Sequence, residues 1–249
     1  MGNLWVQKFA LQALAVMPVD DKEERLLAFI HGDSISGVVR GYAYYALMLT
    51  ENRDSALREL LAIAAGTDDQ AQEAAAIGLG LVDSSETKAA LQKLQSTSTP
   101  TVKIGALASL AGLGDKKATA ELIETVVNGV GLDSSVAAAS LRRMPAGIAA
   151  KISETLMTSY ELSSDAATRL IESWAWIDAN PKNIYDWGLN NENPDIQMQA
   201  VWLVGEREDR KYLKSIAPLL TNDDTGIQCM SSWSIVRILG EEYEPGVEI

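Results

Sequence analysis

The sequence is poor in the residues that build catalytic and metal centres. Its 249 residues include one histidine, His31, and one cysteine, Cys229. Metal sites and general acid–base catalysis usually need several such groups close together, so we expect no catalytic, cofactor or metal site. A single cysteine excludes an intrachain disulfide, which fits a cytoplasmic protein. We expect His31 to end a helix and Cys229 to fill space in one.

Long apolar runs and basic residues are also scarce. No stretch of about 18 apolar residues occurs, so no membrane-spanning helix is predicted, and residues 1–5 lack the pattern of a secretory signal. The 21 Lys and Arg are outnumbered by 34 Asp and Glu, giving a formal net charge of −13. This charge repels phosphate backbones and anionic headgroups, so neither nucleic acid nor membrane is an expected partner. It favours solubility, or a partner protein with a basic surface.

What the sequence does contain is an internal repeat. After each apolar anchor, small residues recur at offsets +4 and +7 and an apolar residue at +8, which together form one stripe of an α-helix. A second amphipathic stretch, such as residues 55–63 or 118–126, follows each anchored segment. This regularity predicts an α-solenoid, a stack of helical hairpins. The anchors are Val6, Val39, Ala71, Val102, Val136, Ala166, Ile196 and Ile227, at intervals of 33, 32, 31, 34, 30, 30 and 31 residues.

The same register predicts the core and the helix starts. Small residues at +4 and +7 should allow the backbone of a neighbouring helix to come close. Polar residues at the joints, such as Asp68, Ser163, Asn193 and Asp224, can cap helix N-termini, and Pro suits the first turn. The stripe predicted to be buried includes Ala43, Ala46, Leu47, Ala75, Leu79, Ala106, Leu110, Ala200, Leu203 and Val204.

The repeat resembles a known family. Val39-Arg40, residues 75–80 (Ala-Ala-Ile-Gly-Leu-Gly) and residues 200–205 (Ala-Val-Trp-Leu-Val-Gly) are similar to HEAT repeats, and more narrowly to the HEAT-like repeats of phycobilin lyase subunits. The resemblance covers essentially the whole chain. It implies an all-α, right-handed α-solenoid of about eight HEAT-like helical hairpins. No linker-like composition divides the chain, so we predict one domain, residues 1–249, with an incomplete last repeat and an acidic tail, 241–249.

The resemblance also implies that the anchored helices are inner helices, which line the concave surface. Offset +6 lies about 150° from the centre of the core stripe, so it should face the concavity, whereas Trp174 at +8 should be core. The alternative is that a tightly curved wall buries offset +6 sideways. Trp5 and Phe9, at the start, should cap the stack or meet a partner. The predicted partner-binding residues, at or beside offset +6, are Tyr42, Tyr45, Ile77, Arg142, Glu172, Trp176, Trp202 and Trp233.

Exposed Trp and Tyr are typical of protein interfaces. The favoured function is therefore a non-enzymatic, protein-binding scaffold or adaptor. One alternative, based on the repeat subtype and on residues 42–45, is a phycobilin lyase-like or chaperone role that handles a chromophore or its carrier subunit. Another is a HEAT-like DNA glycosylase, which the charge of −13 disfavours. Iron hydroxylases built from HEAT-like repeats use several His-Glu pairs, and this sequence has none.

Overall fold

The computed structural model describes residues 6, 7, 10, 11, 13, 14, 17, 19–31, 35–50, 53–97 and 99–240, and no strand occurs among them. The chain divides into two compact units, Met1–Leu122 and Ile123–Ile249, which we call unit 1 and unit 2. The single uninterrupted domain stays a prediction. The expectations for Trp5, Phe9 and the acidic tail 241–249 fall outside the described residues.

Unit 1 is built from alternating inner and outer helices. The described helices are α1 (Lys22–Ile30), α2 (Gly37–Met48), α3 (Arg53–Ala65), α4 (Asp69–Leu79), α5 (Ser85–Gln95), α6 (Pro100–Gly112) and α7 (Lys116–Asn128). The inner helices α2, α4 and α6 pack side by side, and the outer helices α3 and α5 contact each other and the inner helices next to them. The division between the units falls within α7.

Unit 2 repeats the same plan. Its helices are α8 (Asp133–Ser140), α9 (Ala146–Ser159), α10 (Ser164–Ser173), α11 (Lys182–Leu189), α12 (Pro194–Glu206), α13 (Leu213–Ile216) and α14 (Thr225–Leu239). The inner helices α8, α10, α12 and α14 pack in sequence, with α9 and α11 as the outer row. Short 3₁₀ turns at Leu141–Arg143, Arg210–Tyr212 and Ala217–Thr221 complete the unit. Within each unit the arrangement confirms the predicted all-α solenoid of helical hairpins.

The core stripe and the helix caps agree with the sequence. All ten residues predicted to be buried are at most 1% exposed. Asp68 accepts hydrogen bonds from the backbone N–H groups of Gln70 and Ala71, and Asp224 accepts one from that of Ile227. Ser163 and Asn193 cap α10 and α12 in the same way. These bonds satisfy N–H groups that the first helical turn leaves without a partner.

Serine at offset +7 links successive inner helices. Ser109 Oγ donates to the carbonyl of Ala76 at 2.7 Å, and Ser234 Oγ donates to that of Val201 at 2.8 Å. Both acceptors lie at offset +5 of the preceding repeat (76 − 71 and 201 − 196). The close approach of a neighbouring backbone, predicted for the small residues, is confirmed.

These contacts correct the register of the fifth repeat. Ser173 Oγ lies 3.1 Å from the carbonyl oxygen of Ala138 and shares its one hydrogen between this oxygen and the carbonyl of Arg169, at 2.8 Å. Placing Ala138 at offset +5, like the other two acceptors, puts the start of this repeat at Asp133. Ala137 and Leu141, the +4 and +8 positions of that register, are fully buried, whereas Val136 is half-buried. The predicted anchor, Val136, is therefore wrong by three residues (136 − 133).

A second contact supports the corrected register. At offset +1, Gln72 Nε2 donates to the carbonyl of Ala64 at 3.3 Å, eight residues earlier, and Gln197 Nε2 donates to that of Leu189 at 2.8 Å. Ser134 Oγ donates to the carbonyl of Val126, also eight residues earlier. Since offset +1 at Ser134 again gives a start at residue 133, the fifth repeat follows the same plan as the others.

Within the described ranges, no helix combines the length and the hydropathy that a bilayer-crossing segment requires.

Candidate protein-binding surface

In unit 1, two of the three predicted partner-binding residues are buried. Tyr42 is 3% exposed and its hydroxyl donates to Glu73 Oε1 at 2.8 Å. Ile77 is 6% exposed, and only Tyr45 of the three is half-buried. The expected exposure of Tyr42 and Ile77 is therefore corrected. Tyr44 is buried as well, so residues 42–45, one of the two supports of the chromophore alternative, are largely covered.

The burial comes from close lateral packing of the inner helices. A Cβ atom added to Gly41 on α2 would lie 3.2 Å from Ala74 Cβ on α4, and one added to Gly105 on α6 would lie 3.4 Å from Ala76 Cβ. Backbones this close cover offset +6 from the side, and Ala108 at the same offset is 7% exposed. A helical wheel predicts whether a side chain points toward the core of its own repeat. It does not show whether the neighbouring repeat covers that side chain.

Arg142 is exposed, but it lies in the 3₁₀ turn Leu141–Arg143 that follows α8. With the fifth repeat starting at Asp133, Arg142 occupies offset +9 (142 − 133), and Ala139, which is half-buried, occupies offset +6. Arg142 therefore lies outside the row on which its prediction rested.

In unit 2, three predicted residues at offset +6 do reach solvent. Glu172 on α10 and Trp202 on α12 are half-buried, and Trp233 on α14 is 39% exposed. Glu172 pairs with Arg169, one turn earlier on the same helix. The three residues occupy equivalent positions on successive inner helices, so they form a row across unit 2.

A second row lies one turn further along, at offset +10 (176 − 166, 206 − 196 and 237 − 227). Arg237 Nη1 lies 3.3 Å from Glu206 Oε2 and its Nε lies 3.6 Å from Glu208 Oε1. Its guanidinium carbon also lies 5.3 Å from the centroid of the Trp233 ring, a cation–π distance. The repeat pattern did not indicate Glu206 and Arg237, although each is four residues after a predicted tryptophan. We name the two rows the aromatic surface: Glu172, Trp202, Trp233, Trp176, Glu206 and Arg237.

Trp176 is the most exposed aromatic residue of this surface, at 71%. It lies in the turn after α10, rather than on the inner helix as predicted. Arg207 holds this turn, because its Nη1 donates to the carbonyls of Trp174 at 2.9 Å and Ile177 at 2.8 Å, and its Nη2 donates to that of Ala179 at 3.3 Å. Trp176 is thus presented to solvent from a backbone that the next repeat holds in place.

Trp174, two residues earlier, behaves in the opposite way. It is 3% exposed, and its Nε1 donates to Ser153 Oγ on α9 at 3.1 Å. Its prediction as a core residue is confirmed.

A groove of about 440 Å³ lies between α8, α10 and α12. Its lining includes three carboxylates, those of Asp165, Glu172 and Asp195, and one guanidinium, that of Arg169. Glu172 also belongs to the aromatic surface. The excess of negative charge makes this groove favourable for positively charged groups.

The described residues contain no group of three or more His, Cys, Asp or Glu placed to hold a metal ion. His31 is the C-terminal cap of α1, as predicted. Cys229 is exposed on α14, so the expectation that it fills space is wrong.

Comparison with known proteins bears on the repeat type. Residues 57–142 match the family model described as HEAT repeats. No curated protein matches the chain. Among solved structures, human deoxyhypusine hydroxylase in complex with glycerol is similar at 13% sequence identity, with 95% of this chain and 98% of that chain covered and a TM-score of 0.40. The phycobilin lyase subtype stays a prediction. By the family match, residues 57–142 are similar to HEAT repeats, as the repeat pattern predicted.

Proposed function

We propose that unit 2 binds another protein through the aromatic surface, and that the chain acts as a non-enzymatic scaffold or adaptor. The observation that carries this proposal is the arrangement of Trp176, Trp202 and Trp233. All three reach solvent around the ion pair of Glu206 and Arg237.

Exposed tryptophan is unfavourable in water and favourable for binding. A single exposed apolar side chain is ordinary, whereas a group of large ones rimmed by charges is typical of an interaction site. Tryptophan is enriched among the residues that dominate binding energy. Because Arg207 already orders the turn of Trp176, a partner would lose little binding energy to ordering that turn.

Charge supports a partner with a basic surface. The chain carries a net charge of −13, and the neighbouring groove contains three carboxylates and one guanidinium. A single cysteine, which excludes an intrachain disulfide, supports placing this role in the cytoplasm.

The test compares tryptophans of the surface with one of the core. Trp233→Ala should change the free energy of unfolding by about 1 kcal/mol or less, and Trp202→Ala, at a half-buried ring, should lower it by about 1–2 kcal/mol. Trp174→Ala should lower it by about 3–5 kcal/mol because it leaves a cavity. Urea denaturation, followed by circular dichroism, measures both. Partners are then captured from lysate of the native cells with wild-type protein and with each surface variant.

A protein retained by the wild type should be lost, or bind about 30-fold more weakly by calorimetry, with the variant that removes a hot spot, since hot spots contribute about 2 kcal/mol or more. Equal retention by wild type and both surface variants would contradict the proposal. So would unfolding of the surface variants as severe as that of Trp174→Ala, because the rings would then be core.

A further inference from the structure

The turn that carries Trp176 borders a cleft of about 350 Å³. Ala175, Trp176, Ile177, Asp178, Glu206 and Arg207 line it. An exposed indole and two carboxylates thus face one small volume. Indole is the best cation–π acceptor among side chains, and a carboxylate is the natural partner of a guanidinium.

The charge of Arg207 does not make this cleft basic. Its guanidinium donates to three backbone carbonyls, those of Trp174, Ile177 and Ala179. Counting Glu208 and Arg237 beside Glu206, the local charges are three carboxylates against two guanidinium groups. The cleft is therefore net negative, on a chain whose net charge is −13.

The molecule already contains the complementary arrangement one repeat further on. There the guanidinium of Arg237 lies 5.3 Å from the centroid of the Trp233 ring and pairs with Glu206 and Glu208. Trp176 has a comparable setting, an indole beside Glu206 and Asp178, and the residue is 71% exposed. In the part of the chain that the structure describes, no cation is found over the Trp176 ring.

We infer that the cleft beside Trp176 receives an arginine side chain of the partner protein, stacked on the indole and paired with Asp178 and Glu206. This inference rests on the proposed protein-binding function. Arginine fits better than lysine, because its planar guanidinium stacks on aromatic rings, binds a carboxylate through two parallel hydrogen bonds and gives up its hydration more easily.

The test uses short synthetic peptides rather than the unidentified partner. Acetylated and amidated Gly-Gly-Arg-Gly-Gly is titrated into the full-length protein, beside peptides with lysine or with uncharged citrulline in place of arginine. Indole N–H signals in nitrogen-15 NMR spectra report the binding, and the Trp176→Phe variant assigns the Trp176 signal. The arginine peptide should shift this signal, the lysine peptide should bind about threefold or more weakly, and the citrulline peptide should leave it unchanged.

Two variants separate the cleft from general electrostatic attraction. Asp178→Asn should weaken binding of the arginine peptide about threefold or more, since it removes a carboxylate of the cleft. Glu192→Gln removes the same charge from an exposed residue that does not line the cleft, and it should leave the affinity within a factor of about 1.5.

An unshifted Trp176 signal, equal affinity for the arginine and lysine peptides, or equal effects of Asp178→Asn and Glu192→Gln would each overturn the inference. The proposed function would survive any of these results, because it depends on loss of the partner with Trp202→Ala or Trp233→Ala. Conversely, unchanged capture by those two variants would contradict the proposed function whatever the peptides do.

Discussion

Tyr185 on α11 carries a hydroxyl group that is buried and makes no hydrogen bond among the described residues. Its ring packs edge to face against Tyr212, with centroids 4.5 Å apart. Burial raises the pKa of the Tyr185 hydroxyl well above its ordinary value of 10.0, and the negative charge of Asp209 raises this pKa further. The native protein therefore keeps this group protonated at pH values where the unfolded chain ionises it.

Replacing Tyr185 with Phe should stabilise the protein. Removing a buried hydroxyl without a partner should raise the free energy of unfolding by about 1 kcal/mol at pH 7. In the wild type, the free energy of unfolding should fall as pH rises above about 10, because the unfolded state then releases a proton that the native state retains. The variant has no hydroxyl to ionise at this position, so the difference in free energy of unfolding between the variant and the wild type should grow at high pH.

Urea denaturation at pH 7 and at several values from about pH 9 to 11 measures this effect. Subtracting the free energy of unfolding of the wild type from that of the variant at each pH cancels the contributions of the other tyrosines. A Tyr185→Phe variant that is less stable than the wild type at pH 7 would show that the hydroxyl does have a partner in solution.

At the scale of the helix, Gly205 sets how closely α12 and α14 approach. A Cβ atom added to it would lie 2.6 Å from Ser234 Oγ and 2.7 Å from Ser234 Cα. Because Cα belongs to the backbone, a rotation of the serine side chain does not relieve this clash. The same serine donates to the carbonyl of Val201, so a shift of the helix would also break that hydrogen bond.

Gly205→Ala should therefore lower the free energy of unfolding by about 1–3 kcal/mol, although alanine is the better helix former. Gly147→Ala is the matched control, because Gly147 lies on α9 and a Cβ atom there has no neighbour within 4 Å. The control should be neutral or stabilise the protein by about 0.5 kcal/mol. Urea denaturation measures both, and equal effects would show that α12 and α14 are further apart than described.

The element scale also shows where sequence patterns succeed and where they fail. The stripe, the caps and the helix order were predictable because they depend on the local 3.6-residue period and on polar side chains next to helix starts. The start of the fifth repeat was not predictable, because Val136 resembles an apolar anchor and α8 ends in a 3₁₀ turn at Leu141–Arg143. The contact from Ser173 to Ala138 decides its register.

At the scale of the whole molecule, the net charge of −13 predicts how binding responds to salt. If the partner is basic, raising sodium chloride from about 50 to 500 mM should slow association. At the higher salt concentration the attraction between opposite charges is screened beyond a few ångströms, so it no longer steers the two proteins together. Dissociation should change much less. Stopped-flow or surface plasmon resonance kinetics with the captured partner measure both rates. Association that ignores salt, or a partner with an acidic surface, would show that the charge serves solubility alone.

The sequence by itself determined the repeat period, the helical class, the buried stripe and most caps, since each follows from residues close together along the chain. Only the tertiary structure decided which side chains at offset +6 reach solvent. Ile77 and Trp202 share that offset, yet Ile77 is 6% exposed and Trp202 is half-buried. The contacts of Arg207 with the turn of Trp176, and of Arg237 with Glu206, likewise join residues about one repeat apart. Such contacts depend on how closely neighbouring helices pack, which a pattern within one helix does not encode.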